Sequence, residues 1–138
     1  MRGLARETVF KIIYKSLFLN GDVSYEEILE EEEITQEKDK NFEEDYAFIK
    51  EMVNLYSENL DEINSIINSK LQSYSPDRVY RIDRAILACA TVELYFYKKT
   101  PIKVVINEAV EMAKKYSTEK SYSFVNGILR SIVEGIKE

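Results

Sequence analysis

Histidine is absent from the 138 residues, cysteine occurs once, proline twice and glycine four times. The lack of histidine excludes Ser-His-Asp and Cys-His nucleophile pairs and removes the usual zinc ligand. A single cysteine, Cys89, allows no internal disulfide. It sits in the apolar run Ala85-Ile86-Leu87-Ala88-Cys89-Ala90, so a buried, inert thiol is expected. Gly3, Gly21, Gly127 and Gly135 stand too far apart to form a phosphate-cradling loop. Scarce Gly and Pro also disfavour a fold rich in β-turns. No apolar run approaches the roughly 20 residues of a membrane span. The start, Met1-Arg2-Gly3-Leu4-Ala5-Arg6-Glu7, has charge but no following apolar block with a cleavage site. A cytoplasmic location, no membrane association, no cofactor and no metal are therefore expected; catalysis through carboxylates alone stays open, though the usual equipment is missing.

What the chain does have is acidity, and its placement matters more than its sum. The net charge is −6, but residues 22–70 carry −12, while residues 1–21 and 71–138 carry +3 each. A local basic surface can bind phosphate on a molecule that is acidic overall. The alternative is a solvated acidic helix face with scattered bases, and charge alone leaves both open.

Helical periodicity runs through most of the chain. Ala5, Val9, Ile12, Ile13 and Leu17 share one face of a helix over 3–18, with Lys11 and Lys15 opposite. Arg2 and Arg6 fall at the edge of that apolar face. Asn20-Gly21-Asp22 ends it, and Ser24 with Glu27 forms a capping-box pattern for a short acidic helix. A polar loop then leads to a helix over 42–56, with Phe48, Met52, Leu55 and Tyr56 inward. Ser57 is the expected cap of the next, with Leu60, Ile63, Ile66, Ile67 and Leu71. Ser75-Pro76-Asp77 signals another start. The segment 82–97 carries apolar residues on two sides and predicts a central, buried helix. Glu93 lies in line with its core stripe and must be hydrogen-bonded or paired; a bond to a helix end or a tyrosine is the simplest account. Thr100-Pro101 opens a helix to Tyr116, with Ile102, Val105, Ile106, Ala109 and Ala113 inward. Ser117 or Ser121 caps the last, where Phe124, Val125, Ile128, Leu129, Ile132, Val133 and Ile136 keep an unbroken period. No strand is legible. The expected fold is all-α. One domain, 1–138, is expected, with a composition break near 73–77 that divides it into subdomains 1–73 and 74–138.

Four blocks carry a resemblance to a known family. Pro101-Ile102-Lys103-Val104-Val105-Ile106-Asn107-Glu108-Ala109-Val110-Glu111-Met112-Ala113-Lys114 followed by Phe124-Val125-Asn126-Gly127-Ile128-Leu129 resembles the signature of the NusB family. Ile82-Asp83-Arg84-Ala85-Ile86-Leu87 with Glu93-Leu94, and Ala5-Arg6-Glu7 through Tyr14, resemble its other blocks in the same order. The resemblance implies an all-α fold of about seven helices in two small packed bundles, and a non-enzymatic transcription antitermination factor. It implies binding of single-stranded boxA RNA in ribosomal RNA leaders, together with a small-subunit ribosomal protein, NusE, and action on the RNA polymerase antitermination complex. Some family members also form homodimers. A helical adaptor that binds only protein is the rival reading.

Single-stranded RNA is held by cations along its backbone and by aromatic faces against its bases. On that basis Arg2, Arg6, Tyr74, Tyr122 and Phe124 are the expected RNA-binding residues, joined by Asn126, which can read a base edge or fix a helix contact. Core packing is the alternative for Phe124, and for Tyr74 and Tyr122 as well. Arg6 is expected to serve RNA directly and to matter little for stability. The family's denser arginine cluster is reduced here to Arg2, with Gly3-Leu4 in the other places, so unaided binding should be weak and strongly salt-dependent. Asp83, Arg84 and Glu93 are the residues that the resemblance associates with the protein partner. The neighbouring cations Arg78, Arg81 and Arg84 could serve RNA instead. Gly127, in mid-helix, costs about 1 kcal/mol relative to Ala and suggests close approach by a helix or a ligand.

Overall fold

The structure, a computed structural model, describes residues 2–19, 42–74 and 79–136. Among them lie α1 (Arg2–Ser16), α2 (Phe42–Glu58), α3 (Leu60–Lys70), α4 (Arg81–Val92), α5 (Ile102–Tyr116) and α6 (Ser121–Val133). A single π-helical turn, Glu93–Tyr97, continues α4. No strand occurs among the described residues, so the all-α reading holds; six α-helices and the π turn stand against the seven helices expected. The capping box at Ser24, the polar loop before Phe42 and the Ser75-Pro76-Asp77 start lie outside the described residues. No described helix is long and apolar enough to cross a membrane.

The segment with apolar residues on two sides is the axis of the molecule. Every residue from Ala85 to Leu94 is buried, and α4 packs against α1, α2, α3, α5 and α6. Side chains such as Ile86 and Leu87, fully shielded from solvent, each contribute about 1.5–3 kcal/mol through burial. Helix α1 is enclosed on more than its apolar stripe, because Thr8, Phe10 and Ser16 are buried beside Ala5, Val9, Ile12 and Ile13. Its buried hydroxyls are satisfied within the helix: Thr8 Oγ1 donates to the Leu4 carbonyl at 3.1 Å and Ser16 Oγ to the Ile13 carbonyl at 2.6 Å.

Two expected caps are not caps. Asn59, not Ser57, occupies the position before α3, and it makes no side-chain cap bond. Ser57 Oγ instead donates back to the Asn54 carbonyl at 3.1 Å. Lys120 precedes α6, and Ser117 and Ser121 both turn their hydroxyls to Asp83. A buried carboxylate gains more from two hydroxyl donors than a solvated helix end does.

Contacts at its two ends orient the helices around α4. Helix α1 runs antiparallel to it: Arg6 meets Glu93 at the C-terminal end of α4, and Phe18, just past α1, meets Arg81 at the N-terminal end. Helix α6 runs parallel to it, with Ser121 bonded to Asp83 and Tyr95 Oη donating to the Ile132 carbonyl at 2.8 Å. The molecule therefore has two poles, separated along α4 by the ten residue steps from Asp83 to Glu93, about 15 Å at helical rise.

Candidate nucleic-acid interface

At the C-terminal pole, Arg6 and Glu93 form a buried two-point ion pair. Arg6 Nε donates to Glu93 Oε1 at 2.8 Å and Nη2 to Oε2 at 2.7 Å. Arg6 is 6% exposed and Glu93 1%. Thr100 Oγ1 donates to Glu93 Oε2 as well, and Glu108 approaches Arg6 Nη1 at 3.6 Å. Burial works against the charged guanidinium, yet the Glu93 bonds and charge outweigh it and raise the Arg6 pKa. The expectation that Arg6 is a free cation of little structural weight is thus corrected. A position at the edge of an apolar face, four residues from the start of α1, proves to be inside because α2, α4 and α5 close over it. Arg2 remains exposed and stacks its guanidinium 4.2 Å from the Phe48 ring centroid. Cys89 is buried beneath this pair and its thiol pKa is raised, first by burial and then by Glu93.

Nearby, the Glu7 carboxylate accepts from Tyr116 Oη at 2.6 Å and from Lys115 Nζ at 3.0 Å. Partial burial opposes its ionisation, but these bonds hold its carboxyl below the ordinary carboxylate value. This α1–α5 contact had no sequence signature, since the partners are more than a hundred residues apart.

At the N-terminal pole, Asp83 is 3% exposed and accepts from Ser117 Oγ at 2.6 Å and Ser121 Oγ at 2.8 Å. Asp83 and Glu93 thus both face inward at opposite ends of α4, and neither offers its carboxylate to a partner surface. Of the three residues associated with the protein partner, Arg84 alone keeps open surface. Its Nη1 donates to Asn68 Oδ1 at 2.9 Å and its Nη2 to Asn64 Oδ1 at 3.1 Å.

The aromatic candidates collect at this same pole. Tyr74 and Phe124 meet edge to face, with centroids 5.1 Å apart and an interplanar angle of 80°. Tyr74 is 44% exposed and Phe124 half-buried, so Phe124 serves both the core and the surface. A shallow groove of about 220 Å³ runs beside them, bordered also by Tyr80, Lys120 and Ser121. Tyr122 is exposed on α6 and lies under Lys114 Nζ at 5.3 Å. Asn126, one turn further along α6, is half-buried. A Cβ added to Gly127 would meet nothing within 4 Å, so no helix approaches it and that part of the expectation fails. The predicted RNA residues therefore divide: Arg2 and Arg6 at one pole, Tyr74, Tyr122 and Phe124 at the other. Sequence reasoning missed Tyr80 and Lys120, whose relation to Tyr74 exists only after folding.

The fold and this groove define a helical domain that presents cations and aromatic faces at one end of a buried central helix. The chain belongs to the NusB family, whose model matches residues 4–134. The transcription antitermination protein NusB of Finegoldia magna is 39% identical over 133 residues, covering 96% of this chain and 93% of that protein. The protein of the same name from Clostridium botulinum (strain Kyoto / Type A2) is 35% identical over 142 residues, covering 96% and 99%. Among solved structures, T. maritima NusB superposes with a TM-score of 0.85 at 39% identity, covering 98% of this chain and 92% of that one. A crystal structure of the antitermination factors NusB and NusE in complex with dsRNA matches with a TM-score of 0.77 at 31% identity, covering 98% and 96%.

Proposed function

We propose that this protein is a cytoplasmic, non-enzymatic antitermination factor that binds boxA-type RNA jointly with a NusE-type ribosomal protein and acts on the RNA polymerase antitermination complex. The observation that carries the reading is the N-terminal pole of α4. There Tyr74, Tyr80 and Phe124 border a groove with Lys120, and Tyr122 lies under Lys114. Aromatic faces interleaved with cations suit unpaired bases and their phosphates. Membership of the family and the likeness to a NusB–NusE–dsRNA complex support it further. Arg2 supplies a second, separate cation at the far pole, and Arg6 acts by holding the start of α1 in place. We read the chain as one domain whose halves, 1–73 and 74–138, form two small bundles meeting on α4, and a homodimer as an assembly open to it.

The test is a titration of the full chain, with and without the ribosomal partner, against single-stranded boxA-type RNA and against a duplex of the same sequence. Single-stranded binding that tightens with the partner is expected. Partner binding with no RNA affinity of either kind would favour the protein-only adaptor.

A further inference from the structure

The guanidinium of Arg84 is half-buried and has no carboxylate partner among the described residues. Its two bonds go to the neutral amide oxygens of Asn64 and Asn68 on α3. Burial lowers its pKa, against an opposing contribution from Tyr56. Buried guanidinium groups are ordinarily paired with acids, as Arg6 is with Glu93. Here the asparagines fix the orientation of the fork and, among the described residues, leave its charge unspent and three of its five N–H donors uncommitted.

Three features concentrate positive potential around it. Arg81 and Arg84 both lie in the first turn of α4, the end of a helix that disfavours cations. That helix start has no side-chain cap. The one acid in that turn, Asp83, is turned inward to Ser117 and Ser121. Arg81 is exposed, with its guanidinium 4.7 Å from the Phe18 ring centroid. Both arginines line an open groove of about 630 Å³ with Leu71, Val79 and Tyr74. Tyr74 also borders the aromatic groove beside Phe124, so the two grooves meet at this one exposed ring.

We propose that Arg84, oriented by Asn64 and Asn68, and Arg81 form a phosphate site for the RNA backbone, placed so that a base can stack on Tyr74 as the strand crosses between the grooves. The inference rests on the RNA reading above and deepens it. It reassigns Arg84 from the protein partner to RNA. A planar guanidinium pre-oriented by two amides loses little freedom when it grips phosphate oxygens, and the neighbouring aromatic face suits a nucleotide better than an isolated carboxylate.

The experiment measures affinity of the full chain, with ribosomal partner present, for a short single-stranded boxA-type RNA across a salt series. Arg81→Gln, Arg84→Gln and the double variant are compared with the parent, with melting temperatures taken alongside. Each lost phosphate contact should flatten the slope of log affinity against log salt by about 0.7. The double variant should lose about 1.4 in slope and on the order of tenfold in affinity at moderate salt. Arg84→Lys, which keeps the charge but not the fork, should restore the slope and only part of the affinity. Arg81→Gln leaves the α3–α4 contact intact, so its slope change reads the site even if Arg84→Gln unfolds. Parent-like slopes in folded variants overturn the site while leaving RNA binding standing. Weakened partner affinity with unchanged RNA slope would show that the groove takes a carboxylate of the protein. A parent chain that binds no RNA overturns both readings.

Discussion

Replacing Arg6 by alanine should unfold the protein at much lower temperature, and the reason lies in what remains behind. The substitution removes both donors to a carboxylate that is 1% exposed, leaving Glu93 with the Thr100 hydroxyl. Breaking a buried pair by deleting one partner costs about 3–5 kcal/mol, because the survivor's charge is left uncompensated. For a chain of this length each kcal/mol corresponds to roughly 4 °C, so the melting temperature should fall by about 12–20 °C. Glu93→Gln should cost somewhat less, since an amide oxygen still accepts one guanidinium bond. The double replacement Arg6→Met/Glu93→Leu removes both charges and should recover most of the loss, as apolar substitutes for buried pairs often do. Thermal denaturation followed by circular dichroism, arranged as a double-mutant cycle, gives the coupling between the two residues, expected at about 2–3 kcal/mol. Additive losses would refute the pair. So would an Arg6→Ala variant with parent-like stability and lost RNA affinity, which would make Arg6 the free RNA-binding cation that its edge position suggests.

The remaining predictions follow from the same contacts. Asp83→Lys should destabilise by about 3 kcal/mol or more, since it puts a cation where two hydroxyls donate to a carboxylate; a folded variant with parent-like melting would show that Asp83 is not held inward. Glu7 has a folded pKa below its ordinary value of 4.5, so its stabilising contribution is complete above that value and is lost as pH falls through the depressed one. Stability of Glu7→Gln measured against pH should therefore decline less steeply on the acid side than that of the parent. Gly127→Ala should raise stability by about 1 kcal/mol, because the added methyl meets nothing and helix propensity improves; a fall in melting temperature would contradict the open space around it. Lys98 ends the π turn with φ of 62°, so Lys98→Gly should stabilise by up to about 1 kcal/mol in a thermal melt, and a loss would show that the lysine side chain is needed there.

The helices and the core were legible in the sequence because their cause is local. A 3.6-residue apolar period is written in consecutive residues, and the doubled stripe of 82–97 could only belong to a buried axis. Polar side chains were harder, because their roles depend on which helices meet. Arg6 illustrates this: its position on α1 was read correctly as the edge of an apolar face, yet whether an edge is open or closed depends on the helices beyond it. Glu93 had to find a partner, and the requirement was visible, but the partner lies 87 residues away. Ser117 and Ser121 have the spacing of caps and were drawn instead to Asp83, since a desolvated carboxylate outcompetes a solvated helix end for hydroxyl donors. The same rule explains why Arg84 stands out only in three dimensions. In sequence it is one of three closely spaced arginines; among the described residues of the fold it is a cation bonded to two amide oxygens rather than to a carboxylate. Buried charges that are paired hold this protein together, and a cation held in place without a counter-charge is where an anionic ligand gains most by binding.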